Sequence, residues 1–167
     1  MTKESSFLIR KALCRDTSLI LLFIKELAAY EEMEDEVIAT EKDIRETLFN
    51  DRPVAKALIL EVDGAPIGFS LYFHNYSTFL CRPGIYIEDI YVQKLHRGKG
   101  YGTAVFQHLC REAKENNYGR VEWWCLDENK PSIDFYTDSL KAEAMKDWTV
   151  FRLDQKRIRE ISGQNKK

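Results

Sequence analysis

The chain has 167 residues, 44% hydrophobic and 31% charged, which is enough to bury one compact core. Its formal charge of −2 leaves no global basic field to draw in nucleic acid or an anionic membrane, and neither partner is expected. The opening "MTKESSF" lacks a signal-peptide core and the longest apolar run, Leu19–Phe23, is far short of a bilayer span, so a cytoplasmic protein is expected.

In chain order, Phe7–Lys11 reads as a first strand. Asp16 or Thr17 can cap a helix whose apolar positions Leu19, Ile20, Phe23, Leu27 and Tyr30 recur at helical spacing. A second helix is announced by the capping-box pattern Thr40–Asp43, with Ile44 and Leu48 on one face, and is closed by Asp51-Arg52-Pro53. Two β-rich runs within residues 55–74 are joined by Asp63-Gly64, a strong hairpin signal, and a further strand covers Gly84–Val92. After a glycine loop comes a helix with the stripe Val105, Phe106, Leu109, Cys110 and Ala113, stopped by residues 116–119. A strand at Arg120–Leu126, a short helix at Pro131–Ser139 capped by Asn129, and a last strand at Trp148–Asp154 complete the series. One domain over 1–167 is expected, ending in a short polar tail from about residue 155, with an α/β fold around a sheet of mixed direction. Cys14, Cys81, Cys110 and Cys125 form no Cys-x-x-Cys pair and lie near no histidine at ligand spacing. They read as small apolar fillers, and no metal is expected.

The stretch "HRGKGYG", residues 96–102, places three glycines at every second position between a strand and a helix. Such a loop delivers free backbone N–H groups and the positive end of a helix dipole to one spot, which suits a phosphate or pyrophosphate, with Arg97 and Lys99 adding charge. The P-loop spacing is absent, and Gly-x-Gly-x-Gly followed by Thr103 is not the dinucleotide fingerprint. An ordinary glycine-rich helix start is the alternative reading.

The order Arg97-Gly98-Lys99-Gly100-Tyr101-Gly102 resembles the pyrophosphate loop of the GNAT superfamily of N-acetyltransferases. "IKELAAYEEME" (Ile24–Glu34), "YIEDIYV" (Tyr86–Val92) and "NKPSIDFY" (Asn129–Tyr136) stand in the order of its spermidine/spermine and thialysine branch, a likeness running from Phe7 to Asp154. The resemblance implies a GNAT fold: a mixed, mostly antiparallel twisted sheet of about six to seven strands flanked by about four helices. It implies acetyl-CoA as cosubstrate. Ile90, Tyr91 and Val92 and the loop Arg97, Gly98, Lys99, Gly100, Tyr101, Gly102 and Thr103 would hold pantetheine and pyrophosphate, while Asn129, Lys130, Pro131 and Ser132 would border the thioester. Tyr136 would act as the acid and Glu88 would help to deprotonate the amine; Tyr30, Glu31, Glu122, Trp123 and Trp124 would lie near that amine. A homodimer is also implied, with active sites near the interface and Trp148–Asp154 taking part.

These residue types suit the chemistry. An alkyl ammonium, with a pKa of about 10, must lose a proton before it attacks, and a thiol of pKa roughly 8.5 leaves better when protonated. Plain strand alternation puts Tyr86, Glu88, Ile90 and Val92 on one face and Ile87, Asp89 and Tyr91 on the other, giving each carboxylate apolar neighbours that would raise its pKa. Pairing with a structural cation is the bland alternative for Glu88, and a packed core ring is the one for Tyr136. The acids of Tyr30–Glu36 are a solvated face or an anionic lip for a cationic amine. Ser77 and Thr78 stand where polyamine-acetylating relatives carry an acid, which favours a small diamine or a thialysine-like amino acid over a long polyamine. A protein or peptide N-acetyltransferase, or a non-catalytic acetyl-CoA sensor, are the other functions to weigh.

Overall fold

Residues 5–163 are described in a computed structural model; the outermost residues of the opening stretch and of the polar tail lie outside them. The chain divides into two compact units, one ending at Trp124 and the other beginning at Cys125.

The first unit is a five-stranded sheet in sequential order: β1 (Phe7–Lys11), β2 (Lys56–Val62), β3 (Ala65–Ser77), β4 (Arg82–Val92) and β5 (Val121–Trp123). Neighbours β1 to β4 pair antiparallel, and β5 joins β4 in parallel, with Ile85 opposite Val121. Asp63 and Gly64, at φ 52° and 80°, make the left-handed two-residue turn that the right-handed twist of β2 and β3 requires. Helix α1 (Thr17–Tyr30) and helix α2 (Glu41–Leu48) cover one face, closing Ile20, Phe23 and Ile44 over Ile59, Phe69 and Tyr91. Helix α3 (Tyr101–Glu115) serves the other face with buried Val105, Phe106, Leu109 and Ala113, and its Glu112 accepts a 2.8 Å hydrogen bond from the Tyr72 hydroxyl.

The capping box forms as its sequence requires: the Asp43 amide donates to the Thr40 hydroxyl at 3.2 Å, and the Thr40 amide donates to the Asp43 carboxylate at 2.9 Å. Asp16 stands at the start of α1 but does not cap it with its side chain. Its carboxylate turns back to accept two bonds from Arg10, at 2.7 and 2.9 Å, and one from the Leu13 amide.

The second unit holds helix α4 (Lys130–Asp134), a wide π turn over Phe135–Ser139, and helix α5 (Gln155–Gly163). Trp148–Asp154 is not a strand. A strand needs a neighbour to satisfy its amides and carbonyls, and among the described residues nothing pairs with this segment, which leaves Phe151 90% exposed. What read as a polar tail is α5, started by the Asp154 carboxylate, which accepts the Arg157 amide at 2.7 Å, and braced by an Arg157–Glu160 ion pair. Cys14, Cys81 and Cys110 are exposed and Cys125 is half-buried, so they are not core fillers, and Cys110 lies off the buried stripe of α3. Among the described residues no helix is long and apolar enough to cross a membrane.

Candidate active site

Gly98 and Gly100 have φ of 74° and 83°, and a Cβ built on either meets nothing within 4 Å. The left-handed backbone, not a crowded neighbour, demands glycine there, and the space above the loop is open. Gly100 stands at the N-cap of α3, and the Ala104 amide is the first of the helix to reach back, donating to the Gly100 carbonyl at 3.0 Å. The amides of Tyr101, Gly102 and Thr103 are therefore the orphan donors of a helix start, aimed with its dipole into that space. An open, donor-lined cradle of this kind fits a diphosphate, as coenzyme A would require.

Arg97 is less a rim charge for that anion than a clasp. Its Nε donates to the Val92 carbonyl at 2.8 Å, and its guanidinium lies 4.2 Å from the Tyr30 ring centroid and 5.6 Å from that of Tyr91. Gln93 adds hydrogen bonds to Glu26 at 3.2 and 3.3 Å, so the segment entering the loop is fastened to α1 twice. Tyr101 stacks on Phe7 at 4.4 Å, tying the start of α3 to β1. Lys99 is exposed.

Strand β4 is irregular where its acids stand. Leu71 faces Asp89 and Tyr72 faces Ile87, so Glu88 has no opposite residue: the strand carries a β-bulge. The plain alternation expected for β4 breaks there. Ile90 and Val92 lie opposite Ser70 and Gly68 and Ile87 opposite Tyr72, all on the α3 face. Tyr86, Asp89 and Tyr91 lie opposite Phe73, Leu71 and Phe69 on the α1 face. Glu88 itself is exposed, so it lacks the apolar surroundings expected of it. Burial, followed by the negative charges of Glu88 and Glu31, pushes the Asp89 carboxyl up to about 7 instead. Glu31, the residue that ends α1, is half-buried and its carboxyl is also raised by burial. The sequence led to raised values for both acids and to a site role for Glu88 alone, and a signal that separates the two was present: the apolar spacing Ile85, Ile87, Ile90, Val92 slips from two to three across them.

Other expected residues have structural partners or lie elsewhere. Glu122 pairs with Arg120 at 2.9 Å and accepts from Asn75 at 2.6 Å, while Trp123 packs edge-on to Phe106 and Trp124 to Tyr86. Ser77 and Thr78 sit at the far end of the β3–β4 hairpin. Ser77 pairs with Arg82, six residues or about 20 Å along β4 from Glu88, so a single chain does not bring both to one small amine. In the second unit the Asn129 side chain caps α4 by accepting the Ser132 amide at 3.3 Å; Lys130, Pro131 and Ser132 form its first turn, and Tyr136 lies in the π turn, its carbonyl accepting the Ala142 amide at 2.9 Å.

The Acetyltransferase (GNAT) family matches residues 23–140. The chain belongs to this family. Over 95% of its length it is 34% identical to the thialysine N-epsilon-acetyltransferase of Sus scrofa, covering 99% of that protein. It is 28% identical to the L-ornithine N5-acetyltransferase NATA1 of Arabidopsis thaliana, over 94% of this chain and 88% of that one. Among solved structures, an integron cassette protein from the V. cholerae mobile metagenome shares the fold with a TM-score of 0.78 at 22% identity, covering 95% of this chain and 98% of its own. The GNAT fold expected from the sequence is the one observed, and the chain is an acyltransferase of the N-acetyltransferase kind.

Proposed function

We propose that this GNAT acetyltransferase moves an acetyl group from acetyl-CoA directly to a primary amine of a small diamine or of an amino acid bearing a distal amine, such as thialysine or ornithine. The single observation that carries the reading is the open glycine cradle at the start of α3, with positive φ at Gly98 and Gly100 and orphan amides behind it. Its support on the amine side is the unpaired acidity of Glu31, Glu88 and Asp89, which no ion pair among the described residues neutralises. Relatives named for thialysine and L-ornithine favour the same substrate class.

When bound, acetyl-CoA supplies a thioester carbonyl as acyl donor. The helix-start amides hold the diphosphate, Ile90 to Val92 flank the pantetheine arm, and Asn129 to Ser132 border the thioester. Tyr136 offers its phenol proton to the departing sulfur, and the carboxylates of α1 and β4 attract and deprotonate the ammonium. Ser77 and Thr78 are not part of this single-chain site. The protein is proposed to act as a homodimer.

A thiol-release assay with acetyl-CoA across thialysine, ornithine, lysine, putrescine, spermidine and peptide amines tests the reading. Turnover should be highest with the short amines, and Tyr136→Phe should lower kcat by about 100-fold or more at unchanged acetyl-CoA affinity. If calorimetry shows no acetyl-CoA binding, or no amine releases thiol, the proposal fails.

A further inference from the structure

We propose that the cleft between the end of β1 and the second half of α3 binds a small multivalent oxyanion, a polycarboxylate or a phosphorylated metabolite, at a site separate from the coenzyme cradle. The cleft measures about 430 Å³. Lys11 closes β1 on one wall. His108 and Arg111 stand on the other, three residues apart and so on one face of α3. Lys56 and Tyr72, opposite each other on β2 and β3, make the floor with Glu112.

The floor is satisfied internally and the walls are not. Tyr72 is 1% exposed, and its hydroxyl donates to Glu112 Oε2 at 2.8 Å. Lys56 Nζ meets Glu112 Oε1 at 3.1 Å, and His74 Nε2 lies 3.8 Å from that same oxygen. Burial raises the Glu112 carboxyl, but the Tyr72 hydroxyl and Lys56 outweigh it and hold the group below its ordinary value. Both carboxylate oxygens are thus spent on groups that the fold supplies. The Lys11 ammonium, the Arg111 guanidinium and the His108 ring, by contrast, meet no hydrogen-bond or ion-pair partner among the described residues. Glu115 and Asn116 complete the rim. The lining carries three fixed positive charges, on Lys11, Lys56 and Arg111, against two negative ones on Glu112 and Glu115, in a chain whose formal charge is −2.

Size and polarity choose the ligand. One water takes about 30 Å³ of liquid, so the cleft holds roughly fourteen, the bulk of a molecule of about a dozen non-hydrogen atoms rather than of a lone phosphate. Among the described residues that line it none is aliphatic, and the unpaired groups are donors suited to carboxylate or phosphate oxygens. Placement separates this ligand from the coenzyme's diphosphate. Phe7 stacks on Tyr101 at the cradle end of α3, whereas Lys11 lies four residues or about 13 Å further along β1, and Arg111 ten residues or about 15 Å further along α3. An anion held there ties β1 to the helix whose start forms the cradle.

The test is calorimetric titration of the full chain with citrate, ribose 5-phosphate and inorganic phosphate, with and without saturating acetyl-CoA. Wild type is compared with Lys11→Ala and Arg111→Ala, both at exposed positions that the fold tolerates, and with Lys99→Ala on the glycine loop. Citrate or ribose 5-phosphate should bind wild type at one site with a Kd of about 1 mM or below, more tightly than inorganic phosphate. Lys11→Ala and Arg111→Ala should each weaken that binding about 10-fold or more and leave acetyl-CoA affinity unchanged, whereas Lys99→Ala should leave the anion's affinity unchanged. Saturable binding by none of the three anions, inorganic phosphate bound more tightly than both larger ones, or binding unaltered in both alanine variants overturns the site. Displacement of the anion by acetyl-CoA overturns it as well, because the anion then sits in the cradle. So does a loss of acetyl-CoA affinity in Lys11→Ala or Arg111→Ala, which would give those side chains to the coenzyme.

Discussion

At the scale of single residues, a half-buried carboxyl raised to about 7 is a burden on the fold. A raised acid binds its proton more tightly folded than unfolded, so its contribution to stability is full below about pH 4 and is lost as pH climbs to 7. The loss has a ceiling of about 4 kcal/mol, three pKa units at 1.36 each. Asp89→Asn, neutral at every pH, should therefore melt several degrees above wild type at pH 8, with the gap shrinking as pH falls toward 5. Thermal melts across that range check it; a variant that is less stable than wild type at pH 8 would mean that the Asp89 charge is compensated. Sequence alone could rank Glu88 and Asp89 only by strand alternation, and alternation fails at a bulge. The burial that separates the two comes from α1, about 60 residues away along the chain.

Secondary-structure elements were legible wherever the deciding chemistry is local. Thr40 and Asp43 begin α2, Asp63-Gly64 turns β2 into β3, and the stripes of α1 and α3 are buried at Ile20 and Phe23 and at Val105, Phe106, Leu109 and Ala113, while Tyr30 and Cys110 at their margins are exposed. What the sequence hid were elements fixed by distant partners, and the junction of β1 with α1 is one. Asp16 looks like a helix cap; what holds it is Arg10, whose Nε also meets Glu61 on β2 at 2.7 Å. Asp16 is buried, and the Arg10 guanidinium, opposed by burial and helped by the Leu13 amide, holds its carboxyl below the usual range. A depressed acid stabilises above its unfolded value near 4, and that stability is lost as pH falls through the depressed one. Asp16→Ala should cost about 2–4 kcal/mol at pH 7, since it strips Arg10 of its bidentate partner and the Leu13 amide of its acceptor. Urea denaturation would show this as a lower midpoint at unchanged slope; a midpoint equal to wild type would make the cluster energetically neutral.

For the molecule as a whole, the informative mismatch is Trp148–Asp154. Its composition is that of a strand, yet Trp148 is 71% and Phe151 90% exposed, with Val150 and Leu153 also on the surface. Local propensity does not make a strand; an edge to pair with does, and among the described residues this chain offers that segment none. Exposed apolar side chains gathered in one short run cost solubility unless something covers them. In the proposed homodimer a second copy is that cover, supplying both a pairing edge and apolar contacts. Trp148→Glu with Phe151→Glu places two charges where such an interface would be driest, which costs several kcal/mol in a buried contact. Wild type should sediment as a dimer at tens of micromolar and the double variant as a monomer, with acetyl-CoA still binding to the cradle at α3 because the substitutions lie outside it. A wild type that sediments as a monomer, or a double variant that stays dimeric, would remove Trp148–Asp154 from the interface.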